Sequence, residues 1–249
     1  MVLYVVSGIA VFAFSGVMAM AGLGAAFLFV PMFLAFGVSL PQATSTALLL
    51  NVVSLLFAAT AYARSGLVDW RIGVPILVAA VALAPIGARL TAEVDKNLLL
   101  GLFAGFLVFA GAMMLRRRRP GGSRRLGPAV QIGAGVSIGG VAGFLGGLLG
   151  VGGGNFVLPV LNWFGLDAKV AAGTTALVVV FSSLSGFLGH ASVGGLDPAL
   201  LAVGAVTAAG GSLLGSYLVR KHVPSTVLKP IMGILLWVIA LKMLWDLVF

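Results

Sequence analysis

The sequence predicts an all-α polytopic membrane protein built from two homologous halves. Hydrophobic residues make up 61% of its 249 residues, only 8% are charged, and the mean hydropathy is +1.19. One core of this length cannot hide so much apolar surface from water, which excludes an ordinary soluble domain. Two glycine-rich, proline-containing segments interrupt the apolar sequence about half a chain apart, and they indicate a duplication.

Apolar runs supply the membrane segments. Eight of them are close to the roughly 20 residues that a helix needs to cross hydrocarbon. They are about Leu3–Met20, Gln42–Ala63, Ile72–Leu90, Leu98–Leu115, Ala129–Leu149, Val170–Ala191, Ala199–Val219 and Leu228–Val248. Two shorter runs, Ala25–Phe36 and Asn155–Phe164, follow the glycine breaks and predict helices about 15 to 18 Å long. We therefore predict five segments in each half, four long and one short or re-entrant, or about 8 to 10 in total.

The two halves match at a nearly constant offset of about 128 residues. The matching segments are Gly22–Pro31 with Gly150–Pro159, Ser45–Leu48 with Thr174–Leu177, Gly66–Asp69 with Gly194–Asp197, and Ile86–Ala88 with Leu214–Ser216. The sequence thus predicts a first transmembrane repeat at residues 1–115, a basic cytoplasmic linker at 116–128 and a second transmembrane repeat at 129–249.

Loop charges bear on how the halves are oriented. If all ten segments cross the membrane and the arginine-rich linker is cytoplasmic, eleven lysines and arginines lie on that side and four lie outside. With only eight crossings the split is nine against six. We therefore expect inverted repeats in the inner (plasma) membrane, with both termini outside. Short segments that dip in and return to the same side are an alternative that the charge count leaves open.

Paired breaks in matching halves are the best sequence pointer to a transporter binding site. A helix that begins inside the membrane presents unpaired N–H groups and the positive end of its dipole, which suit an anion. Glycines let an anion approach the backbone, although glycine also serves close helix packing. The candidate residues in the breaks are Gly22, Gly24, Ala25, Gly152, Gly153, Gly154 and Asn155.

A second polar element opens the long span that follows each break. Its hydroxyls could donate to an oxyanion, but helix capping and interhelical hydrogen bonding would also explain them. The candidates here are Thr44, Ser45, Thr46, Gly173, Thr174 and Thr175, followed by the weaker candidates Asn51, Ser182 and Ser183.

Other chemistry has little support in the composition. The chain has no cysteine, two histidines and six acidic residues, so we expect no metal, no cofactor and no enzymatic activity. His190, near the outer end of a span, is a candidate proton-coupling group, although an interfacial role also fits it. We expect the four tryptophans and Tyr62 in an interfacial belt. The arginines in short loops are an orientation signal, so nucleic acid is not an expected partner.

The duplicated pattern resembles the TauE/SafE sulfite exporter family. The resemblance covers nearly the whole chain, and its strongest parts are Gly150–Pro159 and Gly173–Ala176. It implies an inner-membrane permease for small anions, typically sulfite, sulfonates or other sulfur-containing oxyanions, usually on the export side. The first half departs from the pattern at Ala25, Ala26 and Phe27, where the second half has Gly153, Gly154 and Asn155.

We therefore predict a secondary transporter, on the export side, of a small sulfur-containing oxyanion such as sulfite or an organosulfonate. The anion would bind near the midplane, between the helix N-termini at the breaks and the neighbouring hydroxyls. A passive small-anion channel and a non-transport membrane scaffold are the alternatives. The expected partners are the anionic substrate and the bilayer, and a homodimer is compatible with the sequence.

Overall fold

The structure is a computed structural model that describes residues 2–90, 128–190 and 197–248, with parts of 101–115. These residues form nine continuous helices and no strand, and some residues between 101 and 115 are also helical. The helices are α1 (Val2–Ala21), α2 (Ala26–Ala35), α3 (Leu40–Arg64), α4 (Trp70–Leu90), α5 (Pro128–Leu148), α6 (Gly154–Trp163), α7 (Ala168–His190), α8 (Pro198–Lys221) and α9 (Ser225–Val248).

The all-helical prediction is confirmed for the described residues. Five helices are long and apolar enough to cross a membrane by length and composition, over Gln42–Arg64, Trp70–Leu90, Val130–Leu148, Ala168–Gly189 and Pro198–Lys221. Helices α2 and α6 have ten residues each, so both predicted short segments are present. The predicted run Leu98–Leu115 lies partly outside the described residues, and so does the linker 116–128 apart from Pro128.

Glycines end the helices that precede the two breaks. Gly22 has φ +67° and Gly150 has φ +66°, a left-handed conformation that glycine adopts without a steric penalty. Leu23 N donates to Met18 O at 3.2 Å, and Val151 N donates to Gly146 O at 2.9 Å. These are the bonds of a Schellman motif, which satisfies carbonyl groups at a helix C-terminus. Helices α1 and α5 therefore stop in the same way.

Aspartates begin three of the long helices. The Asp69 carboxylate accepts from Arg71 N at 3.0 Å, Asp167 from Lys169 N at 2.9 Å, and Asp197 from Ala199 N at 2.9 Å. Each bond satisfies one N–H group that the first helical turn cannot pair internally. The Gly-Leu-Val-Asp turn and the Gly-Gly-Leu-Asp turn of the repeat thus supply the caps of α4 and α8.

Small residues let helices of opposite halves approach closely. On α5, Gly139, Gly143 and Gly147 lie one turn apart, and a Cβ on any of them would overlap the α4 backbone. On α8, Gly211 and Gly215 face the α1 backbone in the same manner. Spacing of small residues by four places them on one helix face, where they bring two backbones together in a membrane. The contacts α4 with α5 and α1 with α8 both cross the predicted boundary between the repeats.

These contacts are reciprocal in residue number. A Cβ on Gly87 would overlap Phe144 O, and a Cβ on Gly215 would overlap Gly16 O. Positions 87 and 215 differ by 128, as do positions 16 and 144. The glycine at the equivalent position of each half therefore packs against the backbone of the other half. The central pair, α3 and α7, packs together between these two contacts.

Apolar side chains cover the outside of the bundle, as a lipid-facing surface requires. Val206 is 75% exposed and Leu241 is 70% exposed. Trp70, Trp163 and Trp245 are also exposed. Tyr62, which we expected beside them in an interfacial belt, is instead fully buried, because its hydroxyl donates to the carbonyl oxygens of Ala19 at 3.0 Å and Met20 at 3.2 Å.

The α4–α5 contact predicts that a Gly→Ala substitution destabilises the protein at one position of α5 but not at another. Gly143→Ala should lower the thermal unfolding temperature in detergent, because its methyl group would overlap the Ala80 backbone and overpacking costs about 1–3 kcal/mol. The matched control is Gly133→Ala, where no described atom lies within 4 Å of a Cβ. Alanine favours helix over glycine, so this control should not lower the temperature. Equal stability of the two variants would contradict so close a contact.

Candidate functional site

The two glycine breaks meet in the buried interior, each against a long helix of the other half. A Cβ on Gly22 would overlap Ala172 O of α7, and one on Gly150 would lie 2.7 Å from Thr44 Cγ2 of α3. The numbers again differ by 128, from 22 to 150 and from 44 to 172. The breaks also touch directly, since a Cβ on Gly154 would lie 2.6 Å from Leu23 O.

Asn51, in the middle of α3, connects the first break to the second half. Its Oδ1 accepts a hydrogen bond of 2.8 Å from Ala25 N, at the start of α2. Its Nδ2 donates a hydrogen bond of 2.8 Å to Ser183 Oγ on α7. Asn51 and Ser183 are both fully buried, so these bonds are shielded from water. Buried polar bonds of this kind fix the relative position of the groups that they join.

Serines of α7 hold the second break. Ser182 Oγ donates to Gly152 O at 2.7 Å. A Cβ on Gly152 would overlap Ser183 Oγ and would lie 3.1 Å from Asn51 Nδ2. Only glycine therefore allows this turn to sit against the Asn51–Ser183 pair. The sequence ranked Ser182 and Ser183 below the breaks, but the structure brings both into contact with Gly152.

The two short helices start at the breaks with different partners. Helix α2 has Ala25 at its N-cap position and α6 has Gly153, and neither N-cap side chain caps its own helix. The N–H groups of a first helical turn have no intrahelical acceptor. At α2 one such group, that of Ala25, is already bonded to Asn51. The sequence predicts that both breaks offer N–H groups to a ligand, but the N–H group of Ala25 is already used by Asn51.

The Ser/Thr elements near the starts of α3 and α7 make different contacts from the break residues. Thr174 Oγ1 accepts from Asp69 N at 2.9 Å, so it ties α7 to the turn before α4. Gly173 lies in the same area, where a Cβ would overlap Leu67 O and lie 3.0 Å from Tyr62 Cβ. These contacts hold Thr174 and Gly173 against the turn before α4, while the Thr174 hydroxyl keeps its own hydrogen for a further bond. Thr46 is buried, and Thr44 contacts Gly150.

Several buried polar atoms have no hydrogen-bond partner among the described residues. They include Ser45 Oγ, Thr175 Oγ1 and both amide atoms of Asn155. All three residues are at most 1% exposed. An unpaired buried polar group carries a desolvation cost, which makes each one a candidate ligand contact. Asn155 carries two such atoms, in the first turn of α6.

Tyr62 is a residue that the sequence analysis misplaced. It lies 11 residues after Asn51 on α3, which is about three helical turns, so both side chains project from the same helix face. Tyr62 donates to the end of α1, just before the first break, and Asn51 accepts from Ala25 within that break. The spacing of two polar residues on one face of an apolar helix was the signal for this role.

The polar groups gathered here are neutral amides, hydroxyls and backbone N–H groups, so this part of the chain can stabilise an anion by hydrogen bonds and helix dipoles alone. The side chain of His190 lies outside the described residues. Among the residues that the structure describes, no three His, Cys, Asp or Glu side chains cluster as metal ligands would. The candidate residues of both breaks, Gly22, Gly24, Ala25 and 152–155, are all buried, so the structure is closed around them.

Comparisons with known proteins place the chain among membrane transporters. The family model described as "Sulfite exporter TauE/SafE" matches residues 7–243. The chain is 29% identical to "Probable membrane transporter protein YunE" of Bacillus subtilis, over 92% of each chain. It is 27% identical to "Probable membrane transporter protein y4hK" of Sinorhizobium fredii, over 80% of this chain and 81% of that one.

A plant protein matches over a shorter part of the chain. "Sulfite exporter TauE/SafE family protein 1" of Arabidopsis thaliana is 35% identical over 32% of this chain and 18% of its own length. No solved structure matches the chain. The family model spans almost the whole sequence, including both breaks and the helices that hold them, and the chain therefore belongs to the TauE/SafE sulfite exporter family of membrane transporters.

Proposed function

We propose that the protein is a secondary transporter that exports a small sulfur-containing oxyanion, such as sulfite or an organosulfonate, across the cell inner membrane. The observation that carries the proposal is the direct contact of two glycine breaks, each at the start of a short helix, in the buried interior of the bundle. The family name supports the class of substrate. Exit of an anion is favoured by an inside-negative potential by about 2.3 kcal/mol per charge at about 100 mV.

The anion is held by groups that suit easy release. Each helix N-terminus carries roughly half a positive charge on its N–H groups, and buried hydroxyls add neutral donors. Such donors bind an oxyanion without the strong attraction of an ion pair. The proposed contacts are the break residues together with Thr44, Ser45, Thr46, Asn51, Gly173, Thr174 and Thr175. No metal, cofactor or catalytic group is part of this mechanism.

The halves are proposed to be inverted repeats of five segments each. Reciprocal contacts such as Gly87 with Phe144 and Gly215 with Gly16 are those that a two-fold axis between the halves produces. Five crossings place that axis in the membrane plane. The charge count supports a cytoplasmic linker at 116–128. A homodimer through the exposed apolar surface is also part of the proposal.

Transport in this scheme requires movement of one half against the other. The break residues are buried, so an anion reaches them only after α3 and α7, or the helices around them, separate on one side. Because each break rests on a helix of the opposite half, relative motion of the repeats opens one face as it closes the other. His190, at the end of α7, is proposed as the group that couples this motion to a proton.

The proposal predicts saturable exchange of sulfur oxyanions. Liposomes that contain the purified protein and are loaded with unlabelled sulfite should take up radiolabelled sulfite from outside, driven by exit of the unlabelled sulfite. Unlabelled sulfonates or thiosulfate added outside should reduce this uptake. A carrier exchanges substrate and saturates, whereas a passive channel conducts without counterflow. Absence of exchange with every sulfur oxyanion and carboxylate tested would exclude the proposed function. Flux that never saturates would favour the channel.

The inverted arrangement predicts that matching loops lie on opposite sides of the membrane. The chain has no cysteine, so single cysteines can be introduced without removing native ones. Gly37→Cys and Gly165→Cys occupy equivalent turns 128 residues apart, and at both positions a Cβ meets no described atom within 4 Å. A membrane-impermeant maleimide should label one in right-side-out vesicles and the other in inside-out vesicles. Labelling of both from the same side would show parallel repeats.

The fit of the second break against Asn51 and Ser183 predicts that Gly152→Ala disables transport. Its methyl group must displace the hydrogen-bonded pair, and overpacking costs about 1–3 kcal/mol, where about 1.4 kcal/mol is a tenfold change. Gly165→Ala is the matched control, since Gly165 also has a positive φ, of +91°, but open space around it. Sulfite exchange should fall by about tenfold or more in Gly152→Ala only. Equal exchange in both variants would show that the close packing at Gly152 is not needed.

A further inference from the structure

The two breaks have the same backbone form but different polar partners. At the first break, the N-cap residue Ala25 gives its N–H group to Asn51 Oδ1 at 2.8 Å. Gly24 packs directly on the same amide, because a Cβ there would overlap Asn51 Oδ1 and lie 2.7 Å from Nδ2. A side chain of the protein thus occupies the position that an anionic oxygen would take at the start of α2.

The equivalent position in the second half cannot do this. Gly152 is the counterpart of Gly24, 128 residues later. Val179 takes the place of Asn51 in the structure, because α3 begins at Leu40 and α7 begins at Ala168, which are also 128 residues apart. The packing agrees with that correspondence, because a Cβ on Gly152 would lie 3.2 Å from Val179 Cγ1. Valine has no hydrogen-bond acceptor in its side chain. The α6 N-terminus therefore lacks the cap that Asn51 gives to α2.

An unpaired amide lies at this uncapped end. Asn155 is in the first turn of α6 and is fully buried, and neither its Nδ2 nor its Oδ1 has a partner among the described residues. Cα–Cβ bonds of a helix tilt toward its N-terminus, so the side chain leans toward the end where the N–H groups are unpaired. Its counterpart in the first half is Phe27, which has no polar atom in its side chain.

We infer that the protein has one anion site and that it lies at the second break. The N–H groups at the start of α6 and the Asn155 amide bind the oxyanion, while Asn51 closes the first break as a permanent structural cap. This inference rests on the proposed function and narrows it. The two breaks share a backbone form, but only the second combines a helix N-terminus without a side-chain cap with an unpaired buried amide among the described residues.

Replacement of the two asparagines of α6 tests the site. Asn155→Leu keeps the size of the side chain and removes the amide, so the sulfite concentration at half-maximal counterflow should rise by about tenfold or more, the loss expected for one hydrogen bond to a charged group. Its melting temperature should stay the same or rise, because an unpaired buried amide is removed. The matched control is Asn162→Leu on the same helix, where Nδ2 donates to Leu158 O at 3.1 Å. It should leave the half-saturating sulfite concentration within about twofold.

Unchanged affinity in Asn155→Leu would overturn the inference, and so would a loss of exchange that accompanies a lower melting temperature, which would show a structural role. These results are distinct from failure of the proposed function, in which the wild-type protein itself shows no exchange. That result would remove the site together with the transport activity.

A second pair of variants tests whether the missing cap at the α6 N-terminus matters for binding. Val179→Asn introduces an acceptor where Asn51 stands in the first half, so it should accept from the N–H group of Gly153 and weaken sulfite binding. Val179→Leu adds similar bulk without an acceptor and should weaken sulfite binding less. Equal affinity loss in the two variants would attribute the effect to bulk and overturn the role of the uncapped N-terminus.

Discussion

Inside a membrane, backbone that leaves helical geometry must find its hydrogen-bond partners within the protein, because lipid offers none. This constraint acts wherever α1 and α5 stop and α2 and α6 begin. The helix ends are closed by their own Schellman bonds, while Asn51 accepts from Ala25 N and Ser182 donates to Gly152 O. The long helices α3 and α7 therefore carry polar residues in the middle of apolar sequence, at the depth where the breaks need them.

The interlocking of the two halves follows from the same need for close approach. Glycines at positions 87 and 215 bring α4 against α5 and α8 against α1, and the breaks then rest on the long helices of the opposite half. Neither break can keep its surroundings if the other half moves away. In a transporter this makes the binding region sensitive to the relative position of the repeats, which is what alternating access requires.

Sequence alone predicted the elements better than the contacts between them. The helices Leu40–Arg64 and Gly154–Trp163 begin and end within two residues of the predicted runs Gln42–Ala63 and Asn155–Phe164, because apolar run length and glycine breaks are local properties. The contacts of Asn51 and Tyr62 depend on which helices become neighbours, and that information is not local. Thr174 looked equivalent to the hydroxyls beside the breaks, but it binds Asp69 N, because the turn before α4 folds against that part of α7.

In the proposed transport cycle, the two similar halves and the single polar site have different tasks. Symmetric backbone packing lets two arrangements of the halves have similar energy, since each arrangement reuses the same kinds of contacts. If the polar groups of the two breaks were equally symmetric, an anion would bind equally well at either break and would not be held preferentially by one half. Asn51 and Asn155 break that equivalence, one by closing a helix end and the other by lying unpaired at the opposite one. In the proposed cycle, an anion held at the second break would travel with α6, while the capped first break would keep α2 fixed against α3.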